Sequence, residues 1–262
     1  MGLTPSASYD SRSRALLVAA VCLLSVLAWI ALWRFSSSPY LQHHHGSEEA
    51  FLARTFFWFF VLGWTVMAVA MMLPSSVPLF LRFHQVSADR RDRSMLVAAV
   101  IAGYLGAWIV FGAIVYVAAA GAAQLIATLP GAANNQWLIG GFTLAVAGTF
   151  QFTRLKHQCL DMCKSPSTFI TRHWSGGGRL LKALWLGAFY GAFCIGCCWA
   201  LMLLMFLVSV GNLAWMLVLA AIMTVEKSAH VGRRLSAALG VVLLGAGTLM
   251  LALGIGSLLY GK

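Results

Sequence analysis

The chain has 262 residues, 61% hydrophobic and 10% charged, with a mean hydropathy of +0.85. That composition excludes a water-soluble domain, a disordered chain, a nucleic-acid-binding domain and a secreted disulfide scaffold, because so few polar side chains cannot cover so much apolar surface. Lys and Arg outnumber Asp and Glu by 18 to 7, an excess that in an integral membrane protein collects in cytoplasmic loops beside anionic headgroups.

Apolar windows of about 20 residues, the length that crosses the hydrocarbon core, predict an all-α polytopic bundle of seven spans. They cover about 15–35, 55–74, 95–120, 136–153, 182–209, 212–230 and 235–260. Turn and charge signals join them at Ser36-Ser37-Ser38-Pro39, Pro74 to Ser94, Leu129-Pro130-Gly131, Arg154 to Arg179, Gly211-Asn212 and Gly232-Arg233-Arg234. With the N-terminus in the cytoplasm, 15 of the 18 basic residues fall inside, against Arg34, Arg54 and Lys262 outside. The alternation predicts an N-in, C-out protein. Arg12 and Arg14 before an apolar stretch resemble a signal peptide, but the stretch exceeds an h-region and no A-x-A site closes it. It reads as a retained anchor within one integral membrane domain spanning 1–262; cleavage would leave six spans.

Ligating residues at membrane depth are costly and tend to be functional, so they are taken in chain order. Cys22 in the first span reads as a small apolar packing residue. His43-His44-His45 beside Glu48 and Glu49 is either an external metal-capture segment or a solvated run. Met67, Met71 and Pro74 share a face of the second span; Pro74 and Pro78 read as helix stops, and Met71 or Met72 as a thioether source. His84 and His173, in basic loops, give no sharper signal. The fourth loop, about 154–181, is cytoplasmic and holds His157, Cys159 and Cys163, whose i, i+4 cysteines would share one face of a helical turn.

In the fifth span, Gly187, Gly191, Cys194, Cys198, Met202 and Met205 fall on one stripe at 100° per residue, with Cys197 beside it. The glycines admit close helix approach. Both cysteine clusters lie on the reducing side, which favours metal or redox chemistry over a structural disulfide. Soft thiolates and thioethers select Cu(I), with zinc the competitor for the cysteines. Met202 and Met205 read either as copper steps or as gap-filling side chains. Glu226-Lys227 closes the sixth span, with Met216, Met223 and His230 on roughly the same face. Glu226 reads as a ligand or proton acceptor, or as half of an ion pair with a snorkelling Lys227. No nucleotide-binding or nucleophile-elbow motif occurs, and Ser175-Gly176-Gly177-Gly178 lacks a P-loop sequel.

The runs Met71-Met72-Leu73-Pro74-Ser75 with Pro78, Gly103-Tyr104-Leu105-Gly106-Ala107-Trp108, Gln151-Phe152-Thr153-Arg154-Leu155-Lys156 with Cys159-Leu160 and Cys163, Gly191 with Cys194-Ile195-Gly196-Cys197-Cys198-Trp199-Ala200-Leu201-Met202, and Glu226-Lys227 resemble the signature of a bacterial family of predicted metal-binding integral membrane proteins. The likeness runs from about residue 55 onward. It implies metal binding in a bacterial inner membrane, and its pattern carries His where this chain has Tyr190, so one implied ligand is missing here. Two other classes fit the residues: a membrane thiol-disulfide oxidoreductase working between Cys159/Cys163 and Cys197/Cys198, and an accessory or assembly subunit whose Trp- and Phe-rich surface meets lipid and another membrane protein. A metallochaperone is a further partner for a copper-handling protein; nucleic acid is not a partner.

Overall fold

A computed structural model describes residues 7–36, 49–88, 90–128, 136–174, 180–208, 212–228 and 232–260. Its helices are α1 (Ala7–Ser36), α2 (Glu49–Met72), α3 (Val77–Val86), α4 (Arg93–Thr128), α5 (Gln136–Phe150), α6 (Arg154–Lys164), α7 (Pro166–His173), α8 (Leu180–Leu203), α9 (Met205–Val208), α10 (Leu213–Ser228) and α11 (Gly232–Tyr260). No strand occurs among the described residues. Five helical stretches are long and apolar enough to cross a membrane by length and composition: Ser11–Arg34, Thr55–Met72, Arg93–Ile126, Leu180–Leu207 and Gly232–Ile255. The other two apolar windows are α5 and α10, of 15 and 16 residues, whose length of about 23 Å falls short of a ~30 Å hydrocarbon core.

Two segments expected as connections are helical instead. Proline has no N–H to lose in a first helical turn and its fixed φ suits that position. Pro74 accordingly opens a 3-10 turn (Pro74–Ser76), Pro78 lies in the first turn of α3, and Pro166 in the first turn of α7. Pro74, expected as a helix stop, does follow the end of α2 at Met72 as well as opening the next turn, whereas Pro78, also expected as a stop, starts a helix instead. The polar run after Arg154 folds because it is amphipathic: α6 buries Lys156, Cys159, Leu160 and Cys163, and α7 buries Phe169 and Ile170. His84 and His173 therefore sit on α3 and α7, beside Arg93 and over the Phe169 ring respectively.

A third departure concerns the fifth window, which is interrupted at Leu204. The amide of Leu204 bonds back to Leu201, that of Leu207 to Leu204, and the Trp215 indole N–H donates to the Leu204 carbonyl at 3.2 Å. Met202 ends up on α8 and Met205 on α9, and both are buried.

The chain groups into two compact units. Met1–Gly112 with Ser165–Ala192 forms the first. Here α4 and α8 approach so closely that a Cβ on Gly103 would collide with the Leu184 carbonyl and one on Gly187 with that of Val100. Tyr104, buried on α4, donates its hydroxyl to the Met72 carbonyl at 3.1 Å. Met67, Met71 and Met72 are core side chains, and Tyr190 packs on Phe169 and Tyr104. Cys22, expected to pack, is exposed on α1. The second unit, Ala113–Lys164 with Phe193–Lys262, has α5 laid along α11, with Gly148 against Leu244, and contains every cysteine from Cys159 onward.

Candidate metal centre

Within the second unit the cysteines of α6 and α8 come together. Cys159 and Cys163, one turn apart, both face inward. Cys159 fits because residue 196 has no side chain: a Cβ there would lie 2.6 Å from Cys159 Sγ. On α8 the thiols of Cys197 and Cys198 donate to the Cys194 carbonyl at 3.0 and 2.8 Å, the local back-bonding open to a thiol in a helix. The side chain of Cys163 is hydrogen-bonded to those of Cys194 and Cys197, and Cys194 is also in hydrogen-bonding contact with Cys197 and Cys198. Cys194 is the hub of the cluster. None of these cysteines is in a disulfide.

Burial pushes the Cys159 thiol above its ordinary range, and the neighbouring Cys197 adds to the effect. Hydrogen bonds to Cys194 and Cys197 hold Cys163 well above that range, with burial reinforcing them. Both thiols of α6 are therefore protonated near neutrality, and a soft cation entering here must displace protons.

A second layer of charge surrounds the sulfurs. Lys156 is fully buried; its Nζ lies 3.0 and 2.9 Å from the two oxygens of Glu226 and also donates to Gln151 Oε1. Ser236 completes the network, donating to Glu226 at 2.9 Å and to Gln151 at 3.2 Å. Glu226 is thus paired with Lys156 rather than with its chain neighbour. Lys227, expected to snorkel, is 7% exposed and donates to Cys194 Sγ at 3.0 Å. Lys156, Gln151 and Ser236 were not singled out from the sequence as site residues. The signal available was the position of Lys156 three residues before Cys159; nothing local pointed to Ser236.

The remaining candidates are spread around this cluster. Met202, one turn beyond Cys198 on α8, and Met205 on α9 are both buried. His157 on α6 has a buried Nδ1 with no hydrogen-bond partner. Met216 and Met223 share the buried face of α10 with Glu226. His43, His44, His45, Glu48 and His230 lie outside the described residues. Among the described residues no three His, Cys, Asp or Glu side chains stand as a ready-made metal cage; the helices gather thiols in mutual contact with a lysine against the central sulfur.

The sequence model of a copper chaperone family, PpoB2, matches residues 61–250 of the chain. That interval contains both cysteine clusters, Lys156, Glu226 and Lys227. No curated protein and no solved structure matches.

Proposed function

The chain belongs to the PpoB2 copper chaperone family, and we propose that it takes Cu(I) onto the thiols of Cys159, Cys163, Cys194, Cys197 and Cys198 and delivers it to a partner protein. The observation carrying this reading is the convergence of Cys163, Cys197 and Cys198 on Cys194 inside one compact unit. Five buried sulfurs suit a soft monovalent ion better than a hard one. Packing alone does not call for such a cluster.

In this proposal the protein is a bacterial inner-membrane protein of seven spans, N-in and C-out, with α6 and α7 as the cytoplasmic helices through which cargo enters. The five long apolar helices and the exposed Leu23, Leu27 and Ile30 along α1 support immersion in lipid. Met202 and Met205 offer thioethers for onward movement, and His157 offers an imidazole nitrogen beside the α6 pair. Glu226 serves by holding Lys156 in place. Zinc is the competing cargo.

The test is metal content and transfer for protein purified in mild detergent under reducing conditions. Wild type should carry copper, Cys197→Ser/Cys198→Ser should lose most of it, and Met202→Leu/Met205→Leu should bind copper but release it more slowly to a Cu(I) acceptor. Unchanged copper in the cysteine variant refutes the site.

A further inference from the structure

From Leu201 to Val208 the chain reads Leu-Met-Leu-Leu-Met-Phe-Leu-Val, mostly strong helix formers with no glycine, proline or serine to interrupt the winding. The helix nevertheless breaks at Leu204, whose amide bonds three residues back to Leu201, while the amide of Leu207 bonds three back to Leu204. The cause is not local. The Leu204 carbonyl also accepts the Trp215 indole N–H at 3.2 Å, and a side chain inserted into the hydrogen-bond ladder is a known origin of such a break. Trp215 is itself held in register: Asn212 Oδ1 accepts its backbone N–H at 3.0 Å, the capping bond at the start of α10. All of these residues belong to the second unit.

We propose that Trp215 is a positioning residue for copper release, acting through the thioethers of Met202 and Met205. The inference rests on the copper reading above and adds to it what holds the onward step in place. Residues three apart on a regular α-helix lie about 60° apart around its axis. At three residues per turn they eclipse. The i to i+3 bonds on both sides of Leu204 tighten the winding in that sense, which turns Met205 toward the line that Met202 continues from Cys198. Both methionines are buried. Thioethers are neutral and weak ligands, so their placement decides whether a soft ion passes from one to the next. Without the indole N–H the Leu204 carbonyl loses the contact that sets it apart, the ladder returns to i to i+4 bonds, and Met205 leaves the line.

Trp215→Phe keeps an aromatic ring and removes the donor. In the detergent-purified full chain loaded with Cu(I), affinity by chelator competition should stay within about threefold of wild type, while transfer to a Cu(I) acceptor slows about fivefold or more, as in Met202→Leu/Met205→Leu. The triple variant Trp215→Phe/Met202→Leu/Met205→Leu should transfer no more slowly than the methionine variant, because changes that act through the same pair are not additive. Wild-type transfer by Trp215→Phe, additive slowing in the triple variant, or a methionine variant as fast as wild type beside a slow Trp215→Phe overturns the proposal. In the metal-free protein, hydrogen exchange at the amides of Leu204 to Leu207 should slow in Trp215→Phe as i to i+4 bonds return; unchanged or faster exchange overturns it too. Should Trp215→Phe fail to fold, Asn212→Ala, which removes the cap that seats Trp215, should slow transfer in the same non-additive way, and full-rate transfer by that variant overturns the proposal. Failure of the underlying copper reading looks different: wild type would then carry no copper, or Cys197→Ser/Cys198→Ser would carry as much as wild type.

Discussion

Lys156 and Glu226, 70 positions apart, form a two-pronged ion pair at 2.9 and 3.0 Å with side chains almost wholly out of contact with solvent. The pair ties α6 to α10 and, through Ser236, to α11. A buried pair of this kind adds little net stability against a hydrophobic replacement, but removing one partner strands the other charge.

Lys156→Met or Glu226→Gln should therefore destabilise the protein by about 3–5 kcal/mol, and Lys156→Met/Glu226→Met should recover a substantial part of the loss. Thermal unfolding in detergent, compared across the three variants, reads the effect. Double-variant loss equal to the sum of the singles would show that the two side chains do not act as a pair.

Gly196 is the position where a single added methyl reaches the thiol cluster. In Gly196→Ala the new Cβ would sit 2.6 Å from Cys159 Sγ, closer than a real Cβ tolerates, so the Cys159 thiol must move from its place in the cluster. Copper affinity should fall about tenfold, equivalent to roughly 1.4 kcal/mol, while α-helical content by circular dichroism stays that of wild type.

Thiol reactivity follows from the raised ionisation of the α6 cysteines. The thiolate is the nucleophile, and Cys159 and Cys163 are both shifted upward, Cys159 chiefly by burial and Cys163 chiefly by hydrogen bonds to Cys194 and Cys197. At neutral pH iodoacetamide should modify them more slowly than an unperturbed thiol peptide, and the deficit should close as pH rises. Copper binding releases protons from the same groups, so Cu(I) affinity should increase with pH, by about tenfold per unit for each proton displaced. A pH-independent affinity from neutrality upward would contradict this. Mass spectrometry after labelling with and without Cu(I) identifies the residues.

Topology is tested by reporters. One inserted near Ser87 should report the cytoplasm and one fused after Lys262 the outside. Labelling of both from the same side would remove the seven-span arrangement.

Much of the local structure was legible because it depends on local pattern. Each of the seven apolar windows contains a helix, the i, i+4 spacing of Cys159 and Cys163 does put both on one buried face, and Gly187 does mark a close helix approach. Charge counting did not report the burial of two residues. Lys156 and Lys227 entered the tally of cytoplasmic basic residues, yet both are buried. Their acceptors are 70 and 33 positions away in the chain, and no periodicity reports a partner at that distance. The break at Leu204 was hidden for a related reason: the apolar run continues through it, and the group that satisfies its carbonyl is the indole of Trp215 on the next helix.

The adjacent charges of α10 also constrain how the protein is made. A 16-residue helix carrying Glu226 and Lys227 would enter lipid poorly by itself, since each charge costs about 2.5–3.5 kcal/mol at the centre of an inserting segment. The groups that contact them, Lys156 and Cys194, belong to α6 and α8 and leave the ribosome earlier. In the proposed seven-span arrangement, retention of α10 would depend on α6 and α8 being already in place, and a nascent chain disrupted in either helix would present α10 as an unmatched charged segment.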